Sequence, residues 1–176
     1  FLTPSISLNF LNAQTTQSIS LPYYFNISLD KELTFTPIIN YGGGVDSSQR
    51  FVFDYNQLNP GGKLKLKVNM DTNVEKENSD KWINDALLVT NYNNNINEKF
   101  NISINSALQT SRTYLRITDP NNSLSYNSSL NSSLNLNGYD LKNYNDQLNI
   151  NISTYQVVQK NEDNKKIPTV LPYIKY

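Results

Sequence analysis

Along most of this chain, apolar and polar residues alternate one by one. Ile6, Leu8 and Phe10 alternate with Ser5, Ser7 and Asn9, and Phe25, Ile27 and Leu29 with Asn26 and Ser28. The cleanest run sets Leu64, Leu66, Val68 and Met70 against Lys63, Lys65, Lys67 and Asn69. A period of two marks a strand with one buried and one wet face, and a lysine face also suits an exposed sheet edge. The same period runs through Leu33, Phe35 and Ile39; Phe51, Phe53 and Tyr55; Phe100, Ile102 and Ile104; Leu115 and Ile117; Leu134 and Leu136; Leu148, Ile150 and Ile152; and Tyr155 and Val157. Turn chemistry separates the runs: Asn-Pro-Gly-Gly at 59 to 62, Asp-Pro-Asn-Asn at 119 to 122, and Asn137-Gly138, a strong hairpin signal. One segment is ambiguous. Asp80 is placed to cap a short helix through Leu88, with Trp82, Ile83, Ala86 and Leu87 near helical spacing, while residues 86 to 90 read equally as a buried strand. About ten to twelve short strands with almost no helix predict an all-β sandwich or barrel.

A chain of 176 residues is one ordinary domain, with room for an extension. The polar gap at 12 to 17 sets off the first eleven residues, so the expected organisation is an N-terminal strand (1 to 11), a linker (12 to 17) and a β-domain (18 to 176). The chain opens on Phe1 rather than Met, as expected after removal of a secretory signal peptide. Balanced charge, 15 basic against 15 acidic residues, gives no field for nucleic acid or anionic lipid. No apolar run approaches the ~20 residues of a membrane-spanning helix. The absence of Cys and His removes disulfides, thiolate chemistry, the usual general base and the commonest metal ligand. No catalytic residue, metal or cofactor is therefore expected. The outlier is asparagine, with 29 copies.

Those asparagines build six sequons, at Asn26, Asn101, Asn121, Asn127, Asn131 and Asn151. Each offers an amide with a hydroxyl two residues on, as N-linked glycosylation requires. Such composition produces several sequons by chance, so position carries the weight. Asn121, Asn127 and Asn131 crowd a polar stretch between turns, and the other three fall on the polar face of strand-like runs. The acidic residues Asp54, Asp71, Asp80, Asp85, Asp119, Asp140 and Asp146 read as solvated turn or surface groups. Residues 71 to 80 space oxygen ligands somewhat like a calcium loop but lack its central glycine and terminal Glu. The glycines at 42 to 44 lack the Lys-Ser/Thr of a phosphate loop.

Leu2, Ile6, Leu8 and Phe10 share one parity of the N-terminal strand. A strand of this kind adds to an open sheet edge, its alternate side chains filling pockets. Where the acceptor is the next identical subunit, the contact does not close and a filament grows. The processed start, alternating first strand, Cys- and His-free β-domain and dense Asn, Ser and Tyr with sequons resemble the pilins of archaeal thread filaments of Sulfolobus-type cells. That resemblance implies a pilin-like, immunoglobulin-like sandwich whose Leu2, Ile6, Leu8 and Phe10 anchor a donated strand. It also implies N-linked glycans, a head-to-tail homopolymer of identical subunits, display outside the cell, and a role in adhesion or biofilm. The alternatives are a monomeric secreted adhesin or carbohydrate-binding β-sandwich, and a carboxylate-only glycan hydrolase.

Overall fold

The computed structural model describes residues 5–11, 14–42, 45–75, 82–119, 122–142, 146–158 and 170–176. The described structure is nearly all β, with 74% strand against 6% helix, as the alternation predicts. The strands are β1 (Ser5–Leu11), β2 (Gln14–Ser20), β3 (Tyr23–Ser28), β4 (Lys31–Gly42), β5 (Val45–Asn59), β6 (Gly62–Glu75), β7 (Trp82–Asn95), β8 (Phe100–Gln109), β9 (Ser129–Tyr139), β10 (Gln147–Val157) and β11 (Val170–Lys175). They form one antiparallel sheet that follows chain order, with β3 lying beside β4. No described pairing makes the Greek-key crossover of an immunoglobulin sandwich.

β2 and β3 are one strand interrupted. Thr16 to Ser20 face Gly42 to Ile38, and Tyr23 to Asn26 continue in the same register against Phe35 to Glu32. The break has a chemical cause. Leu21 donates its N–H to the Pro37 carbonyl at 3.1 Å, and Pro37 has no N–H to return the bond. Because Leu21 and Pro37 form a hydrogen-bonding pair, Pro22 turns its own missing N–H away from β4, where no bond to that strand is lost.

Register turns the sequence alternation into two continuous faces. Tyr23, Phe35, Phe53, Val68, Leu88 and Leu108 stand opposite one another across β3 to β8. Ile102, Leu136, Ile150 and Ile174 do the same across β8 to β11. Phe35 stacks with Tyr23 at 6.4 Å and Phe51 at 6.2 Å, and tilts against Phe53 at 4.9 Å. None of these named apolar-face side chains is fully buried. Full burial occurs instead at one end of the opposite face. There helix α1 (Tyr114–Thr118) and the 3-10 turn Ser123–Tyr126 lie over the sheet. Tyr114 and Leu115 close on Leu87; Ala107, Leu130 and Val158 form a second cluster, and Val89 and Leu124 touch both.

Several local expectations are corrected. Residues 82 to 95 are β7, not a helix capped by Asp80, because Ala86, Leu88 and Thr90 pair in sequence with Met70, Val68 and Leu66. Conversely, Leu115 lies in α1 rather than in a strand. Asn137-Gly138 is inside β9, not at a hairpin tip. Gly138 stands opposite Phe100, and a Cβ there would meet the ring at 2.9 Å, so glycine makes room for the aromatic side chain. The turn at 59 to 62 forms as predicted, with Asn59 paired to Gly62. Its glycines answer to β7, since a Cβ on Gly62 would meet the Asn93 carbonyl oxygen at 1.9 Å. The lysine face of β6 is exposed, but β6 is central, between β5 and β7, so those lysines guard a face and not an edge. Residues 14 to 17, expected within the linker, belong to β2; residues 12 and 13 lie outside the described residues.

Candidate functional site

One open margin of the sheet lies at β1, β2 and β3, and the other at β11. β1 pairs with β2 from Ser5 opposite Ser20 to Leu11 opposite Gln14. It shares substantial contact with no other described element. At its start the Ser5 and Ser20 hydroxyls approach to 2.5 Å. Ile6, opposite Ile19, is 76% exposed. Of the expected anchors, Leu2 lies outside the described residues, and so do the side chains of Leu8 and Phe10, whose backbones stand opposite Gln17 and Thr15.

Past Ser20 the margin changes hands. β3 pairs only with β4 among the described strands. Alternation from the Leu21–Pro37 pair directs the backbone N–H and C=O groups of Tyr24 and Asn26 outward. Tyr23, Tyr24, Phe25 and Ile27 are each about half exposed, and Leu29 fully. An apolar strand with unpaired outward groups is a template for adding a strand. The Tyr24 hydroxyl donates to Glu32 at 2.9 Å, and that carboxylate holds the phenol above its ordinary pKa. Ser28 donates to Asp30 at 2.6 Å, which lowers the Asp30 pKa.

The face opposite the apolar one gives the asparagines a structural role. Asn93, Ser103, Asn135 and Asn151 form one row across β7 to β10; Asn95, Asn101, Asn137 and Asn149 form the next. Their side chains bond along and between rows. The Asn101 amide donates to Asn95 Oδ1 at 2.8 Å, Asn93 Oδ1 at 3.0 Å and the Asn94 carbonyl at 3.3 Å. Asn149 donates to Asn137 Oδ1 at 2.5 Å, Asn151 donates to Asn135 Oδ1, and Ser153 donates to Asn151 Oδ1 at 3.0 Å. Two sequon asparagines, Asn101 and Asn151, are thus members of an amide ladder. Asn26, Asn127 and Asn131 are exposed, and Asn121 lies outside the described residues.

A buried polar network was not foreseen. Arg50, Asp71 and Asp85 stand opposite one another across β5, β6 and β7. Asp71 is 3% exposed and Asp85 5%, which corrects their reading as solvated acids. The α1 excursion covers this end of the polar face, so alternation alone put them in water. Arg50 donates to Asp71 at 2.7 Å and to the Thr118 carbonyl at 2.5 Å. The Tyr114 hydroxyl donates to Asp71 as well. Burial, reinforced by the adjacent Asp71 charge, pushes the Tyr114 phenol far above its ordinary pKa. Asp85 accepts from Thr110 at 2.6 Å and Ser111 at 2.5 Å. Apart from the Arg50–Asp71 pair, every bond in this group ties α1 or the segment leading into it to the sheet.

Among the described residues no group of three or more acidic side chains gathers as a metal site requires. Of the calcium-like spacing, Asp71 faces Arg50, residues 71 to 75 are strand, and residues 76 to 80 lie outside the described residues. Among the described residues, one open cleft is lined by Asp146 beside Tyr176 and another by Glu98 beside Lys99. No described helix is long and apolar enough to cross a membrane. No protein-family model matches the chain, and no curated protein matches it in sequence.

Proposed function

We propose that this chain is the structural subunit of an extracellular filament, polymerising head to tail as each copy inserts β1 into the sheet of the next. The observation that carries this reading is the seating of β1. Among the described strands it pairs with β2 alone, and Ile6, one of the two β1 side chains described, is three-quarters exposed. Its departure bares the outer edge of β2, Gln14 to Ser20, which an identical β1 fits in the same register. The link between β1 and β2, residues 12 and 13, then becomes the connector between subunits. An open-ended exchange of one element makes a heterologous contact that propagates. Burying the Ile6 side chain fully in a neighbour's groove would contribute about 1.5–3 kcal/mol. Surface display, adhesion and N-linked glycans belong to the same reading.

The alternative, a monomeric secreted adhesin or carbohydrate-binding domain, draws on the same two strands: seven in-register pairs already satisfy β1 within its own chain. Removing residues 1 to 11 separates the two. On the filament reading the shortened chain stays folded by circular dichroism and no longer forms fibres under the electron microscope. Fibres that persist without the strand, or a full-length chain that stays monomeric under all assembly conditions, would sink the proposal.

A further inference from the structure

We propose that Asn26, Asn127 and Asn131 carry the N-linked glycans and that Asn101 and Asn151 remain bare because the amide ladder holds their nitrogens. The inference rests on the secreted reading above and sharpens it. Transfer makes a bond between Nδ2 and the anomeric carbon of a lipid-phosphate-linked oligosaccharide. The carbon–oxygen bond to phosphate breaks, the lipid phosphate leaves, and Nδ2 gives up one proton. The acceptor must therefore present a reachable amide and spare one of its two N–H bonds.

At Asn101 neither N–H is spare, because the amide serves three acceptors on β7. At Asn151 the amide donates to Asn135, the carbonyl accepts from Ser153, and Ser153 is the sequon hydroxyl itself, 7% exposed. The recognition element and the acceptor are bonded to each other and closed into the sheet face. A glycan at either site would have to dismantle the ladder. The other three differ in place and in bonding. Asn127 follows the 3-10 turn, Asn131 is exposed near the start of β9, and Asn26 is exposed on β3. On β3 a glycan has a further effect, since this strand's outer edge is unpaired among the described strands, and a bulky group there opposes unwanted lateral strand addition.

The test is site-resolved mass spectrometry of glycopeptides from the native full-length protein, with electron-transfer fragmentation. Glycan at Asn26, Asn127 and Asn131, with unmodified peptides spanning Asn101 and Asn151, is the expected result. Glycan at Asn101 or Asn151, or bare Asn26, Asn127 and Asn131, would overturn it. A chain with no glycan that still forms fibres would refute the site assignment while leaving the filament reading intact. The reason is tested by Asn135→Ala, which frees the Asn151 amide. Occupancy at Asn151 should rise from none to a measurable fraction, and an unchanged bare Asn151 would show that the ladder is not what protects it.

Discussion

Replacing Arg50 by alanine should be among the most damaging single changes in the described part of the fold. Asp71 is 3% exposed and Arg50 16%, with Nε and Oδ1 2.7 Å apart. Arg50→Ala leaves the Asp71 carboxylate with the Tyr114 hydroxyl as its remaining partner in this network, and leaves the Thr118 carbonyl at the end of α1 without its donor. Breaking a buried pair on one side costs about 3–5 kcal/mol, mostly the desolvation of the charge left behind. A domain of this kind has about 5–15 kcal/mol in total. With a urea m-value of about 2 kcal/mol/M, the midpoint should fall by roughly 1.5–2.5 M with m unchanged. The assay is urea unfolding followed by circular dichroism. Arg50→Met combined with Asp71→Leu should recover much of the loss, because no isolated charge then remains. A midpoint shift equivalent to less than about 1 kcal/mol for Arg50→Ala would mean that the pair behaves as an exposed one. The network would then not anchor α1.

Further outcomes follow from the same geometry. Tyr114→Phe should flatten alkaline unfolding: the raised phenol pKa adds stability that is full below the ordinary tyrosine value of about 10 and is lost as pH rises above it, so stability-versus-pH curves of the two proteins should converge at high pH. Leu87→Ala should lower stability by about 2–5 kcal/mol in the same urea assay, since Leu87 is 1% exposed beneath Tyr114 and Leu115. Gly62→Ala should be worse than Gly138→Ala by thermal melting, because the first meets a backbone carbonyl at 1.9 Å and the second a side-chain ring at 2.9 Å.

Much of the strand pattern was legible because period-two alternation is a local property. The Lys63 to Met70 run reads the same in sequence and in the sheet. What escaped depends on register and cover. The 29 asparagines looked like surface filler and sequon material; only pairing across β7 to β10 shows the ladder that seven of them form. Asp71 and Asp85 obey the polar parity of their strands, and nothing local reveals that Tyr114 and Leu115 roof that part of the face. Tyr114, Ile117 and Thr118 are β-formers by propensity, yet the helix wins because it buries Tyr114 and Leu115 and finds Arg50 for its last carbonyl. Asn137-Gly138 carries the right turn chemistry, but the glycine answers to Phe100 on the neighbouring strand. At the candidate site, the parity of β1 was readable and its position on the margin was not, since that needs the strand order.

The most direct measurement uses the absence of cysteine. Ser5 and Ser20 stand opposite one another with their hydroxyls 2.5 Å apart, and a chain with no Cys allows Ser5→Cys and Ser20→Cys to report on that pair alone. Directly opposed antiparallel positions fall within disulfide reach. Assembled material is oxidised, denatured and run on a non-reducing gel. If β1 is donated, the bond joins neighbouring copies and the gel shows a ladder of covalent multimers that collapses on reduction. A single monomer band carrying an internal disulfide, from material that is fibrous under the electron microscope, would contradict strand donation.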